Sequence, residues 1–339
     1  MKAVVYDAPR HFAVREVPTP EVRAGEVQVR IEKTGICGTD LHIHEGKFFA
    51  EFPLIPGHEL VGPVESLGEG VEGFHVGEYV SVNPNVNCRR CEYCRAGRPL
   101  LCVNLKGMGT NWPGSFAEFV SVPAELVFSV DGIDLDTAVF TEPASCAMHG
   151  LETLQARPGS SALVFGAGPT GLLLSQFLAH GGASSVTVAA SSAFKLERAT
   201  ALGIDKVFLM DRNDLLGDVK RLMAASGGGF DIVVDATGAA TVSEQCVPLA
   251  RNGGTVMFYG VTDPDDVVKV HPYDVFRREI TIKGSFAEIR SFLPAIEALR
   301  TGRARTDGLI THRFALDDYA EALKALQADR TVHKIVFEL

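Results

Sequence analysis

"SALVFGAGPTGLLLSQFLAHGG", residues 161–182, begins as a continuous apolar run, breaks into glycines and resumes as a helix-forming segment. Gly166, Gly168 and Gly171 stand in the G-x-G-x-x-G pattern, with Pro169 and Thr170 between the last two. In isolation such a string is an ordinary strand-to-helix turn. Here it follows an apolar strand, opens a helix and starts a repeating series, which is the context a dinucleotide fingerprint requires. The chemistry asks for a tight turn at Gly166, close backbone approach to a pyrophosphate at Gly168, and helix–strand packing at Gly171. The helix N-terminus then offers its amides and positive dipole end to the phosphates.

Beyond that turn the chain alternates: "SSVTVAA", "AFKLERATALG", "KVFLM", "DLLGDVKRLMAAS", "FDIVVDATG", "TVSEQCVPLA", "GTVMFYG" and "ITIKGS". Nearly continuous apolar strands separated by helices predict a parallel sheet covered on both faces. The fold class is therefore α/β, a Rossmann-type doubly wound parallel sheet over 151–285. Thr237, in the turn after "FDIVVD", joins the expected cofactor-binding residues. An acid ~20 positions past the glycine turn would hold the ribose 2′-hydroxyl of NAD. Ala190 stands there instead, followed by Ser191, Ser192 and Lys195. Two small donors and a cation suit a 2′-phosphate and favour NADP over NAD, although Lys195 also reads as an ordinary solvated first-turn lysine.

In the N-terminal direction the rhythm differs. "EVQVRIEKTG", "ELVGPVESLG", "EYVSVNPN" and "GSFAEFVSVP" alternate like half-buried antiparallel strands. After Ser285, "EIRSFLPAIEALRTG" and "LDDYAEALKALQAD" read as amphipathic helices and "HKIVFEL" as a strand. Six strands already complete the sheet, so this tail is assigned to the first domain, giving 1–150 and 286–339 as one unit.

At 339 residues the chain exceeds a single core. A formal net charge of −10 argues against nucleic acid or an anionic membrane as partner. No apolar run approaches the ~20 residues that span a bilayer, and "MKAVVYDAPRHFAV" is a strand pattern rather than a signal peptide. The expected compartment is cytoplasmic, where thiols stay reduced.

That expectation bears on the seven cysteines. Cys88, Cys91, Cys94 and Cys102 crowd into "NCRRCEYCRAGRPLLC", a C-x2-C-x2-C-x7-C pattern with the four thiolates a closed tetrahedral zinc site needs. An iron–sulfur cluster is the competing reading, but the last gap does not match the short ferredoxin run. Four thiols without metal is the bland alternative.

Two further strings carry metal-binding residue types. "GICGTDLHIHEG" (35–46) holds Cys37, Asp40, His42 and His44, and "IPGHELVG" (55–62) holds His58 and Glu59. Thiolate, imidazole and carboxylate are the donors of a catalytic zinc that keeps an open position. A lone His–Glu pair is equally an ordinary capped turn, and spacing alone leaves both readings open.

Taken together, "GICGTDLH", "PGHELVG", the four-cysteine lobe, "TEPASCAMHG" and "VFGAGPTG" stand in the order of the zinc-containing medium-chain dehydrogenases/reductases, which this chain resembles along essentially its whole length. The resemblance implies a β-rich GroES-like catalytic domain beside the nucleotide-binding one. It implies Cys37, His58 and Glu59 around a catalytic zinc, with Glu142 as a further ligand or a holder of zinc-bound water. It also implies Thr39 and His42 as a proton relay, one structural zinc in the lobe, and a homodimer or homotetramer. His44 lies outside the motif and is expected at the surface.

"EPASCAMHG" is similar to the sorbitol, arabinitol and ketose-reductase branch, which implies a polyol or ketose substrate. Two positions depart from the sorbitol enzymes: Ile43 replaces a tyrosine and Ala287 an arginine. "CGTDLHI" and "NWPGSFAEF" resemble threonine dehydrogenases, so oxidation of L-threonine, or of another secondary alcohol, is the alternative. A zinc-stabilised binding protein without turnover is the alternative outside enzymes, and the filled catalytic positions argue against it.

Overall fold

The computed structural model describes residues 1–339, which divide into two compact units. The first comprises Met1–Ser145, Glu288–Thr301 and Ile310–Leu339, and the second Cys146–Ala287 and Gly302–Leu309.

In the second unit six strands form one parallel sheet in the order 206–209, 185–190, 161–165, 230–235, 250–258, 281–284. This is the doubly wound order in which the first strand lies centrally and the chain reverses direction at its side. The inner strands Ser161–Phe165 and Phe230–Asp235 are buried along nearly their whole length. The edge strands Lys206–Leu209 and Thr281–Gly284 are mostly exposed. The helix Pro169–His180 buries Leu172, Leu173, Leu174 and Phe177, so its apolar content faces a core rather than water. Burying each such side chain stabilises by roughly 1.5–3 kcal/mol before entropy is counted.

The first unit is built on an eight-stranded sheet. Its path runs Val127–Ser129, Tyr79–Val82, Glu59–Leu67, Lys33–Ile36, Lys334–Glu338, Ile310–Ala315, with Glu26–Arg30 joining Glu59–Leu67 and Phe119–Pro123 joining Glu26–Arg30. "EVQVRIEKTG" is thus two strands rather than one, because Ile31 and Glu32 turn their amides to Glu118 and Val61. The C-terminal strand lies between Lys33–Ile36 and Ile310–Ala315, with Ile335 opposite Ile36. A short ladder of Asn85–Val86 with Lys106–Gly107 closes the base of the cysteine lobe.

The tail assigned to the first unit does not belong to it throughout, since Gly302–Leu309 groups with the second. The cause is local. The Gln176 side chain donates to the Arg305 carbonyl at 3.1 Å and accepts from its amide at 2.8 Å, while Arg198 reaches the Asp307 carbonyl at 3.2 Å. The unit boundaries fall at Ser145/Cys146 and Ala287/Glu288 rather than at the expected 150/151 and 285/286.

Candidate functional site

The glycine turn joins the end of Ser161–Phe165 to the helix Pro169–His180. Gly166 has φ of 105°, a region closed to most side chains. A Cβ at Gly171 would lie 2.3 Å from the Gly166 carbonyl oxygen, so the helix can start this close to the strand only with glycine there. Space beside Gly168 is open, and the helix that starts after it has no side-chain cap. Its first amides are therefore available to an anion, and a dinucleotide pyrophosphate fits this cradle. At the neighbouring strand end Asp235, almost wholly buried, accepts from the Thr237 amide at 2.8 Å and hydroxyl at 2.6 Å and from the Ser243 hydroxyl. Asp235 was not singled out from the sequence; it fixes the turn that carries Thr237.

Ala190 ends its strand, and Ser191 and Ser192 lead into the helix Ala193–Ala201. Ser192 is its N-cap and accepts from the Lys195 amide, while Ser191 accepts from Arg212 Nε at 2.7 Å. The arginine, on the turn after the adjacent strand, is a second residue that sequence reading passed over.

In the first unit, strand pairing joins the two metal-type strings. Gly35 pairs with Glu59, which brings Cys37, at the end of one strand, beside His58, at the start of the next. One donor atom from each of Cys37, His58 and Glu59 lies within 4.8 Å of the others. His58 and Glu59 are buried and Cys37 half-buried. The buried Asp40 clamps the two segments, accepting from the Cys37 amide at 2.8 Å and the Gly57 amide at 3.2 Å, with His58 Nδ1 3.8 Å away. Lys334 sits on the other side, its Nζ 2.7 and 2.6 Å from the Glu59 oxygens and 3.1 Å from the Ile36 carbonyl. Asp40 was named among the metal-type residues of its string but given no role, and Lys334 was not singled out. In sequence the latter reads as a surface lysine; only the fold puts it beside Glu59.

The electrostatics call for a cation. Burial pushes the His58 imidazole down, but Asp40, Cys37 and Glu142 outweigh it and hold the ring well above its ordinary range. Burial likewise opposes the charge on Lys334, and Glu59 and Cys37 prevail to raise it. Burial raises the Asp40 carboxyl, against the pull of His58. The buried His58 Nδ1 has no hydrogen-bond partner. A zinc ion fits this thiolate–imidazole–carboxylate set, in which each Glu59 oxygen retains acceptor capacity beyond the lysine. Glu142, in the first turn of the helix Thr141–Leu154, is buried and acts on His58 and Lys334 through its charge; the compact donor set does not include it.

Thr39 and His42 ride on the short helix Gly38–Glu45. The Thr39 hydroxyl is 3.7 Å from Cys37 Sγ, and the buried His42 Nδ1 is unpartnered. His44 is not the free surface residue expected. It is half-buried, with Nδ1 2.9 Å from the hydroxyl of the fully buried Tyr6, which in turn lies 3.1 Å from the Tyr319 hydroxyl. Burial lowers its pKa.

The four lobe sulfurs also lie within 4.8 Å of one another, with Cys91 and Cys94 at 3.5 Å. The Cys102 sulfur accepts from the Cys88 and Asn104 amides at 3.3 and 3.4 Å. Backbone amides of Arg90 and Cys91 pull the Cys88 thiol down to about 6, whereas desolvation pushes Cys94 up to about 12. Four converging sulfurs, with backbone amides lowering the Cys88 thiol, fit one closed tetrahedral zinc.

A glycine cradle for a dinucleotide in one unit and a compact thiolate–imidazole–carboxylate set in the other define a metal-assisted nicotinamide oxidoreductase. Residues 23–132 match the alcohol dehydrogenase GroES-like domain and residues 169–299 the zinc-binding dehydrogenase family. D-arabinitol dehydrogenase 1 of Uromyces fabae is 39% identical over 99% of this chain and 96% of its own. D-altritol 5-dehydrogenase of Agrobacterium fabrum is 33% identical over 99% of each. A crystal structure of a putative zinc-binding dehydrogenase from Sinorhizobium meliloti 1021 bound to NADP superposes with a TM-score of 0.93 at 32% identity, covering 100% of this chain and 99% of that one. The chain belongs to the zinc-binding alcohol dehydrogenase family, as an oxidoreductase that acts on CH–OH groups with NAD(P). Turnover is favoured accordingly over the binding-protein alternative. No helix is long and apolar enough to cross a membrane.

Proposed function

We propose that the protein interconverts a polyol and a ketose with NADP in preference to NAD, using one catalytic and one structural zinc per chain. The observation that carries the reading is the compact donor set of Cys37, His58 and Glu59 with the carboxylate of Glu142 acting on it. A glutamate in these surroundings makes the pocket polar, which suits a polyhydroxylated chain better than a simple alcohol. The names of the arabinitol and altritol relatives support the same class.

When bound, zinc supplies a Lewis acid that lowers the proton affinity of the substrate oxygen, and the nicotinamide supplies the hydride chemistry. The chain's own residues do the rest. Thr39 Oγ1 takes the substrate hydroxyl proton and passes it towards His42, whose buried Nδ1 is unpartnered. Cys37, His58 and Glu59 hold the metal, with Glu142 in its surroundings, and Cys88, Cys91, Cys94 and Cys102 hold the second ion. Gly166, Gly168, Pro169, Thr170 and Gly171 cradle the pyrophosphate, Thr237 lines the adjoining turn, and Ser191, Ser192 and Lys195 receive the 2′-phosphate. A cytoplasmic homodimer or homotetramer is the proposed working form, free of nucleic acid and membrane; the exposed edge strand Thr281–Gly284 and its half-exposed Ile282 support self-association.

The test is kcat/KM for a panel of polyols, ketoses and L-threonine with each cofactor. Highest values with a polyol–ketose pair and NADP are expected. A higher value for L-threonine would replace the substrate assignment.

A further inference from the structure

Arg212 lies outside every motif, yet the fold delivers it to the end of the second strand of the nucleotide-binding sheet. The strands Ser185–Ala190 and Lys206–Leu209 are parallel, with Ala190 opposite Leu209, so the turns that follow them emerge on one side. Met210 N donates to the Ala190 carbonyl at 2.9 Å and ties the two turns together. The arginine's own turn is braced. Asp211 N donates to the fully buried Asp218 at 2.7 Å, Asn213 N donates to Asp211 Oδ1 at 2.9 Å, and Asp218 is paired with Arg221.

On that turn Arg212 Nε donates to Ser191 Oγ at 2.7 Å, while its Nη1 and Nη2 form no hydrogen bond or ion pair. A guanidinium held at Nε with two free terminal donors presents a fork matched to a phosphate. A dinucleotide seated on the glycine turn places its adenosine ribose at the end of this strand, where Ala190 supplies no carboxylate to oppose an added negative charge. The nearby acids are already engaged: Asp214 caps the helix Leu215–Ser226 and Asp218 is paired, leaving Asp211 as the one that tempers the field.

We propose that Arg212, oriented by Ser191, is the residue that reads the ribose 2′-phosphate and so sets cofactor selectivity. The assignment rests on the NADP reading above and goes beyond it, since Ser191 becomes the holder of the guanidinium rather than chiefly a phosphate donor. Lys195, a point charge on a flexible stem, adds attraction without that geometry.

Calorimetric titration of the zinc-loaded protein with NADPH, NADH, 2′,5′-ADP and 5′-AMP tests this without turnover. Arg212→Ala is expected to weaken NADPH and 2′,5′-ADP roughly ten- to hundredfold, and to leave NADH and 5′-AMP within about twofold. Arg212→Lys should retain part of the preference. Arg212 is exposed, so an unchanged thermal midpoint will show that the variants fold. If the unmodified protein prefers NADPH but Arg212→Ala weakens all four ligands equally, or none, Arg212 is a brace for Ser191 and the inference falls while the NADP reading stands. If the unmodified protein binds NADH more tightly than NADPH, the NADP reading itself fails, and this assignment with it.

Discussion

The Lys334 ammonium lies 2.7 and 2.6 Å from the two carboxylate oxygens of Glu59, both residues being more than nine-tenths buried. A pair this dry gains from Coulomb attraction only because neither charge is left without its partner; removing one of a buried pair typically costs about 3–5 kcal/mol. Lys334→Met is therefore expected to destabilise the protein by about that amount in urea unfolding. Adding Glu59→Gln should recover more than half of the loss. Additive effects of the two substitutions would show that the pair does not act as a unit.

The next expectation concerns metal content. About two equivalents of zinc per chain should be found in the purified protein, one for each donor set. Cys37→Ser should lose about one equivalent and nearly all turnover while remaining folded. Cys94→Ser should also lose about one, but with a lowered melting midpoint, because a structural zinc contributes its binding energy to folding. Full turnover in Cys37→Ser would overturn the catalytic assignment.

How far the sequence carries can be judged from single residues. Gly166 and Gly171 were legible because a local turn needs them and the strand and helix adjoin them in the chain. The lobe cysteines were legible because one loop holds them all. Lys334 and the bond from Gly57 to Asp40 were not, because those partners are distant in sequence: Lys334 reaches Glu59 only through the pairing of Ile335 with Ile36. Arg212 was hidden in the same way, since parallel pairing of strands and not spacing puts it beside Ser191. Gly302–Leu309 carries no periodic signal, and its grouping depends on Gln176. The strand Ile310–Ala315 was missed because its six residues are all intermediate or exposed and show no clean apolar alternation.

Glu142 is expected to matter for chemistry more than for cofactor binding. Glu142→Gln keeps the side chain's size and removes a negative charge that acts on His58 and Lys334. Turnover should fall by at least about tenfold, the equivalent of roughly 1.4 kcal/mol in the barrier. The dissociation constant for NADPH should stay nearly unchanged, since the glycine cradle belongs to the other unit. Comparable losses in both would make Glu142 a structural residue.

Glu288 supplies a pH dependence. Its carboxylate is fully buried, accepts from Asn83 Nδ2 at 3.0 Å and Asn85 Nδ2 at 3.1 Å, and is pushed up to about 8 by burial first and the charge of Glu142 second, against those amide donors. In the unfolded chain the same group titrates near 4.5. Below that value the group is protonated in both states and costs nothing. Between 4.5 and about 8 the unfolded chain ionises while the folded one does not, so ionisation favours unfolding and stability falls as pH rises. The slope is about 1.4 kcal/mol per pH unit, and it vanishes above the folded value, where both states are charged. Glu288→Gln carries no charge at any pH and should lose less stability than the unmodified protein between about pH 5.5 and 8. The difference between the two curves should reach about 3 kcal/mol across that window. Denaturant unfolding of both proteins at closely spaced pH values measures it. Parallel curves would mean that Asn83 and Asn85 keep Glu288 ionised in the folded state, and that their hydrogen bonds outweigh its burial.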